Sequence, residues 1–196
     1  MPAPSGNQTL MDDPGSRLDK LGIVLPAPPI PLGSYVESSD TADLLFLSGM
    51  LPIVNRKLAI SGRLGENLSA KEGQDAASIA SLNALAAAKQ HLGTLYRLKK
   101  LVKLTVLMAT TEQFTDHAPV ADGASKIFAQ IFGPEAGHTR LVYGDLRHNG
   151  SGAWGQTRLS RRARQRNCVP GHVYAIAKRG DTFQPRPAIF RVFLCR

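Results

Sequence analysis

The side chains that could carry chemistry are scattered along the chain, and none lies in a motif that is diagnostic by itself. Ser48 follows an apolar run, but no G-x-S-x-G elbow surrounds it and no histidine is evident to activate it, so we do not expect a nucleophilic serine. His91, His117 and His138 have no partners at metal-ligand spacing. The sequence therefore predicts neither a metal site nor a metal cofactor.

One helix and one strand form the predicted scaffold. Ser69 and Glu72 have the spacing of a capping box, and an Ala-rich segment with helical periodicity follows as far as Leu92. Gly93 is expected to end this helix in the left-handed conformation. Residues 98–108 then carry apolar side chains on both faces, which predicts a strand covered on both sides and central in its sheet.

Shorter patterns predict the remaining elements. These are a short helix over 16–22, strands over 33–36, 43–50 and 139–143, a hairpin within 53–68, and a second helix from about Asp116 to Gly133. The order of strands and helices predicts an α+β fold with both helices on one face of the sheet.

The net charge of +9 is confined to the end of the chain. Through Gly144 there are thirteen Lys/Arg and thirteen Asp/Glu, whereas residues 145–196 contain eleven Lys/Arg and two acids. We therefore divide the chain into a disordered Pro/Gly-rich leader (1–16), an enzyme-like domain (17–144) and a basic tail (145–196). The arginine-rich run 158–166 could bind RNA electrostatically. It has no interleaved aromatic residues, however, so a solvated, disordered segment is the preferred interpretation.

The chain carries no signal for a membrane or for export. No apolar run is long enough to cross a bilayer, and the N-terminus lacks a basic-then-apolar pattern, so we expect a cytoplasmic protein. The spacing of Cys168 and Cys195 is typical of neither a disulfide-stabilised scaffold nor a zinc site, so the sequence predicts neither.

Several segments in register resemble a known family. They are GSYV (33–36), LLFLSGMLP (44–52), LSAKEGQDAA (68–77), VKLTVLM (102–108), and FTDHAPVADGASKIFAQIFG (114–133) followed by GHTRLVYG (137–144). Together they resemble the YjgF/RidA family, in particular its YjgF/chorismate-mutase-like, endoribonuclease L-PSP branch. The resemblance implies a chorismate-mutase-like α+β fold, a barrel-type sheet with two helices packed on one face, to which this chain adds an irregular basic tail.

The resemblance also implies an activity. Members of the family hydrolyse reactive 2-imino and enamine acids to 2-oxo acids and ammonia without a cofactor, as homotrimers with clefts between subunits. Arg140 matches the arginine that binds the substrate carboxylate, a role that suits a permanently charged, bidentate guanidinium. His138 lies close enough in sequence to line the same cleft.

Three further residues match positions near the substrate. Tyr35 supplies a hydroxyl that can bind the ligand, and Ser48 supplies one that can act as a catalytic or binding group. Asp122 occupies the position at which better-known members have Asn. These three residues and Arg140 each have a structural alternative. Arg140 would pair with a helix terminus or a surface carboxylate, Tyr35 would be a partly buried residue at a strand end, Ser48 would form a turn with its own backbone, and Asp122 would be a solvated helix residue. A carboxylate at 122 would repel an anionic substrate.

The family pattern stops after Gly144. A turn and a closing strand with a water-orienting Glu are expected there, but only Asp145 and Asp181 are acidic in the remaining sequence. The apolar stretches 173–177 and 188–195 are candidates to close the sheet. The tail is either a lineage-specific extension or the product of an altered reading frame, and we favour the second hypothesis.

Three functions follow, in order of preference. The first is a RidA-like enamine/imine deaminase with Arg140 as the carboxylate clamp. The second is a non-catalytic family member that binds small carboxylates or a protein partner. The third is RNA binding or an endoribonuclease-type activity, with RNA bound through the basic tail.

Overall fold

A five-stranded sheet covered by helices organises the molecule. The computed structural model describes residues 13–133, 137–145 and 172–179. The elements in chain order are α1 (Pro14–Lys20), β1 (Ser38–Thr41), β2 (Leu44–Leu47), β3 (Ile53–Val54), β4 (Lys57–Leu58), α2 (Ala70–Leu92), β5 (Leu98–Ala109), α3 (His117–Phe132), β6 (Thr139–Asp145) and β7 (His172–Arg179). The strand order in the sheet is β1-β2-β7-β5-β6, and β3 and β4 form a separate hairpin.

Helix α2 has the predicted caps at both ends. Ser69 and Glu72 form the reciprocal capping box, and Gly93 adopts a φ of 76°, in the left-handed region that favours glycine. The buried face of α2 consists mainly of alanines, among them Ala77, Ala80 and Ala84. Their small side chains let the helix backbone lie close to its neighbours.

Strand β5 is an interior strand, as predicted, but the expected cover on both sides is wrong: buried and half-buried side chains alternate over residues 103–108, because both long helices pack on one face. It pairs in parallel with β6, where Leu104 is in register with Arg140, and antiparallel with β7. Helix α3 connects β5 to β6 and packs on both of them, while α2 packs beside α3 and contacts β2 and β7. The prediction that both helices lie on one face of the sheet is therefore confirmed.

The two helices approach each other most closely at Gly123. A Cβ atom at this position would overlap the carbonyl oxygen of Gln74 on α2. The hydroxyl of Ser78 donates toward the carbonyl oxygens of both Gln74 and Gly123, at 2.9 and 3.0 Å. This contact sets the position of α3, and with it the side chains that α3 presents to β6.

The predicted strand over 33–36 is wrong. These residues form exposed bends, because the N–H of Tyr35 donates to the carbonyl of Gly33 at 2.9 Å and the chain turns before β1 begins at Ser38. The other predicted strands and the hairpin within 53–68 are present, with shifts of a few residues at their ends.

The short first helix begins earlier than predicted. The carboxylate of Asp13 accepts hydrogen bonds from the N–H groups of Gly15 and Ser16 at 2.7 and 3.1 Å, so residues assigned to the leader form the first turn of α1. The remainder of the leader, residues 1–12, lies outside the described residues. The division of the chain into leader, domain and tail stays a prediction.

The tail contributes a central strand to the sheet. Residues 172–179, which include the apolar stretch 173–177, form β7 between β2 and β5, so the tail is not irregular throughout. The arginine-rich run 158–166, the stretch 188–195 and both cysteines lie outside the described residues. Within the described ranges, no helix is long and apolar enough to span a membrane.

Candidate functional site

Arg140 is held between the edge strand β6 and helix α3. Its Nη1 donates to Oδ1 of Asp122 at 2.5 Å and to Oγ of Ser125 at 3.1 Å. The two acceptors are three residues apart on α3 and therefore share one face of the helix. The side chain of Arg140 is 26 % exposed and that of Asp122 is 47 % exposed, so the ion pair lies at a partly open surface.

A second hydrogen bond extends this cluster to His138. Ser125 Oγ lies 3.1 Å from Nε2 of His138, which precedes β6 and is half-buried. Burial, reinforced by the positive charge of Arg140, lowers the pKa of His138 from its usual value of 6.5. This shift favours the neutral form of the imidazole. Asp122, Ser125, His138 and Arg140 form what we call the β6–α3 cluster.

Tyr35 and Ser48 make local hydrogen bonds. The Ser48 hydroxyl donates to the carbonyl oxygen of Val36 at 2.6 Å, and the phenol oxygen of Tyr35 accepts from the N–H of Leu32 at 3.1 Å. Tyr35 thus lies in the exposed bends before β1 and not at a strand end, and Ser48 contacts a residue twelve positions earlier instead of forming a turn. Neighbouring Glu37 is half-buried, and burial raises the pKa of its carboxyl group, a feature that no pattern in the sequence indicates.

The predicted site residues lie in two separate groups within one chain. Ser48 follows β2, whereas Arg140 lies on β6, and β7 and β5 stand between these strands. Three inter-strand spacings separate them by roughly 14 Å along the sheet. The structure thus brings Arg140 and Asp122 together but leaves Tyr35 and Ser48 apart from them.

One member of the β6–α3 cluster was not found by sequence reasoning. Ser125 has no motif around it, and the available signal was only its i, i+3 spacing from Asp122 on a predicted helix. His138 was not among the predicted site residues, although its position two residues before Arg140 places it close to the same cleft in sequence. In the described part of the chain, no group of three or more His, Cys, Asp or Glu side chains is arranged to hold a metal ion.

Comparison with known proteins identifies the class. Residues 15–148 match the model of the family described as YjgF/chorismate_mutase-like, putative endoribonuclease. The chain belongs to this family, and its mixed α+β architecture is that of the YjgF/chorismate mutase-like fold. The resemblance carried by the sequence segments is confirmed.

One relative and two solved structures are similar to this chain. Protein TCP17 from Trypanosoma cruzi is 37 % identical over 130 residues, which cover 66 % of this chain and 81 % of that protein. A putative endoribonuclease from Shewanella oneidensis superimposes with a TM-score of 0.72 at 29 % identity, covering 85 % of this chain and 99 % of the other. The protein Atu1372 of unknown function from Agrobacterium tumefaciens superimposes with a TM-score of 0.70 at 26 % identity, covering 88 % of this chain and 96 % of the other.

Proposed function

We propose that this protein is a cofactor-free enamine/imine deaminase that hydrolyses reactive 2-imino acids to 2-oxo acids and ammonia. The observation that carries the proposal is the placement of Arg140. Its Nη1 is fixed by two acceptors on α3, while Nη2 and Nε make no hydrogen bond to the described residues. The open side of the guanidinium can bind a carboxylate through two parallel hydrogen bonds.

Asp122 suits the second charge of such a substrate. A protonated 2-imino acid carries a carboxylate and a cationic C=NH₂⁺ group on adjacent carbons. Arg140 offers a positive charge to the first, and Asp122, bonded to Arg140 through Oδ1, offers a negative charge to the second. The repulsion expected between Asp122 and an anionic substrate is therefore offset for a zwitterion.

The separation of Tyr35 and Ser48 from Arg140 is consistent with a site shared between copies. We propose a homotrimer in which the hydroxyls of one copy approach Arg140 of its neighbour. Particle mass in solution tests this: three times the chain mass of 21.1 kDa supports the trimer, and a monomer contradicts it.

The activity test uses an imino acid that an added amino acid oxidase generates from 2-aminobutanoate. The full-length protein is expected to speed release of 2-oxobutanoate, and Arg140→Ala to abolish the acceleration. Lys99→Ala removes the same charge from an exposed position on β5 and is expected to behave as wild type. Wild-type protein that matches the uncatalysed rate would contradict the proposal.

A second candidate is a non-catalytic family member that binds small carboxylates. It is favoured by the composition of β7, because none of residues 172–179 is acidic and the strand therefore provides no water-orienting carboxylate. Calorimetry with 2-oxobutanoate separates the candidates. Binding that depends on Arg140, without turnover, would select this second function.

A further inference from the structure

The hydrogen bonds of the β6–α3 cluster have a defined direction. A guanidinium has donors only, so Ser125 Oγ accepts the bond from Arg140. The hydroxyl proton of Ser125 is then available to Nε2 of His138, 3.1 Å away. One lone pair of Oγ remains and can accept a hydrogen bond from a water molecule.

We infer that Ser125 and His138 form a proton relay in which His138 is the general base for the water that attacks a substrate bound at Arg140. The inference rests on the proposed deaminase function and supplies the group that β7, which has no acidic residue, does not provide. The shift of His138 toward its neutral form agrees with this role, since burial and Arg140 both lower its pKa.

The reaction balances without a cofactor. Water oxygen bonds to the imine carbon and the C=N π electrons move to nitrogen, while a water proton passes to Ser125 Oγ and the Oγ proton passes to His138 Nε2. The product is a neutral carbinolamine beside an imidazolium. The imidazolium returns its proton to the amine, the C–N bond breaks as the hydroxyl becomes the 2-oxo group, and the released ammonia takes the hydroxyl proton and leaves as ammonium.

Charged residues near His138 come from three elements. On β6, Arg140 opposes protonation of the imidazole. On α3, Asp122 is bonded to Arg140 and offsets part of its charge, and Lys126, next to Ser125, is exposed. On β5, Lys103 is in register with the first residue of β6. The balance is positive, which favours a base that works in its neutral form.

The test measures turnover and ligand binding on the full-length protein. For His138→Gln and Ser125→Ala we expect kcat at pH 7.5 to fall by about 10²-fold or more, the usual contribution of a general base. Affinity for 2-oxobutanoate, measured by calorimetry, should change less than about threefold because Arg140 is intact. Ser125→Thr keeps the hydroxyl and should restore most of the lost kcat.

The pH profile separates a relay from a structural role. Wild-type kcat should fall on the acid side with a midpoint below 6.5, the usual pKa of histidine, and His138→Gln should lose this limb. If His138→Gln keeps a normal kcat and pH profile and its turnover still depends on Arg140, the relay is wrong but the proposed function stands. Loss of 2-oxobutanoate binding in both variants would also overturn it, in favour of a structural role. A wild-type protein without activity would overturn the proposed function together with the relay.

Discussion

Asp122 and Arg140 join helix α3 to the edge strand β6 through an ion pair with Oδ1 and Nη1 2.5 Å apart. The pair orients the guanidinium and at the same time offsets its charge. A small acid bound as we propose would meet one positive and one negative group at this surface, and we expect the balance between them to affect its affinity.

Replacing Asp122 with Asn should raise the affinity for a simple monocarboxylate. The amide keeps an acceptor for Arg140 but removes the charge that competes with the ligand. We expect 2-oxobutanoate to bind about two- to fivefold more tightly, which corresponds to about 0.4–1 kcal/mol for a partly exposed charge. Isothermal titration calorimetry measures the change.

A matched variant and a matched ligand make this result specific. Asp75→Asn on α2 removes the same charge from an exposed pair with Lys71 and should leave binding unchanged. L-2-aminobutanoate has the same carbon skeleton as 2-oxobutanoate but is a zwitterion, and its affinity should not rise in Asp122→Asn. Equal gains for both ligands would contradict recognition of the second charge.

Gly123→Ala should destabilise the fold. The new methyl group would overlap the Gln74 carbonyl oxygen, and backbone cannot move as cheaply as a flexible side chain. We expect a loss of about 1–3 kcal/mol in the free energy of unfolding, from urea titration. In Gly73→Ala the three atoms nearest to the new methyl group belong to the side chains of Leu64 and Val120, so this substitution should cost less. An equal or larger loss at Gly73 would show that the helix contact at Gly123 is not as close as described.

Stability should decrease on the acid side of neutrality because of His138. Its pKa is lower in the folded protein than in the unfolded chain, so the unfolded state takes up the proton first as pH falls. The free energy of unfolding is therefore fully retained above about pH 6.5 and falls below it, by at most about 1.4 kcal/mol per pH unit for one proton. Urea unfolding between pH 5 and 7.5 should show a shallower slope for His138→Gln. Parallel slopes would exclude His138 as the source.

Proline in the middle of β7 should disrupt the sheet. Ala177 is in register with Leu45 on β2 and with Leu101 on β5, so its N–H belongs to a central ladder. Ala177→Pro removes that donor, at a cost of about 1–3 kcal/mol for a carbonyl left without its partner. Ala177→Val keeps the N–H and suits a strand, so it should cost less. Wild-type stability in Ala177→Pro would show that the tail does not complete this sheet.

The amino-acid sequence alone determined the features that depend on a few neighbouring residues. The capping box at Ser69 and the left-handed Gly93 arise from local backbone geometry, and both are present. The apolar pattern of residues 98–108 correctly predicted an interior strand, although its two faces are not equally buried. The segments that resemble the family are also local features, since each is a short stretch of residues and the stretches follow one another in the family's order. The strand predicted over 33–36 is absent because the hydrogen bond from the N–H of Tyr35 to the carbonyl of Gly33 turns the chain and prevents an extended conformation.

The tertiary structure decided which distant residues meet. Ser125 and His138 are 13 residues apart, and their contact depends on the position that α3 takes against α2 and on the parallel register of β5 with β6. The same applies to β7, whose residues lie beyond the basic run yet occupy the centre of the sheet. Local patterns specify elements, but the energy of packing and of long-range hydrogen bonds determines how those elements are placed. That placement brings together the side chains of Arg140, Asp122, Ser125 and His138. Tyr35 and Ser48 lie in another part of the fold.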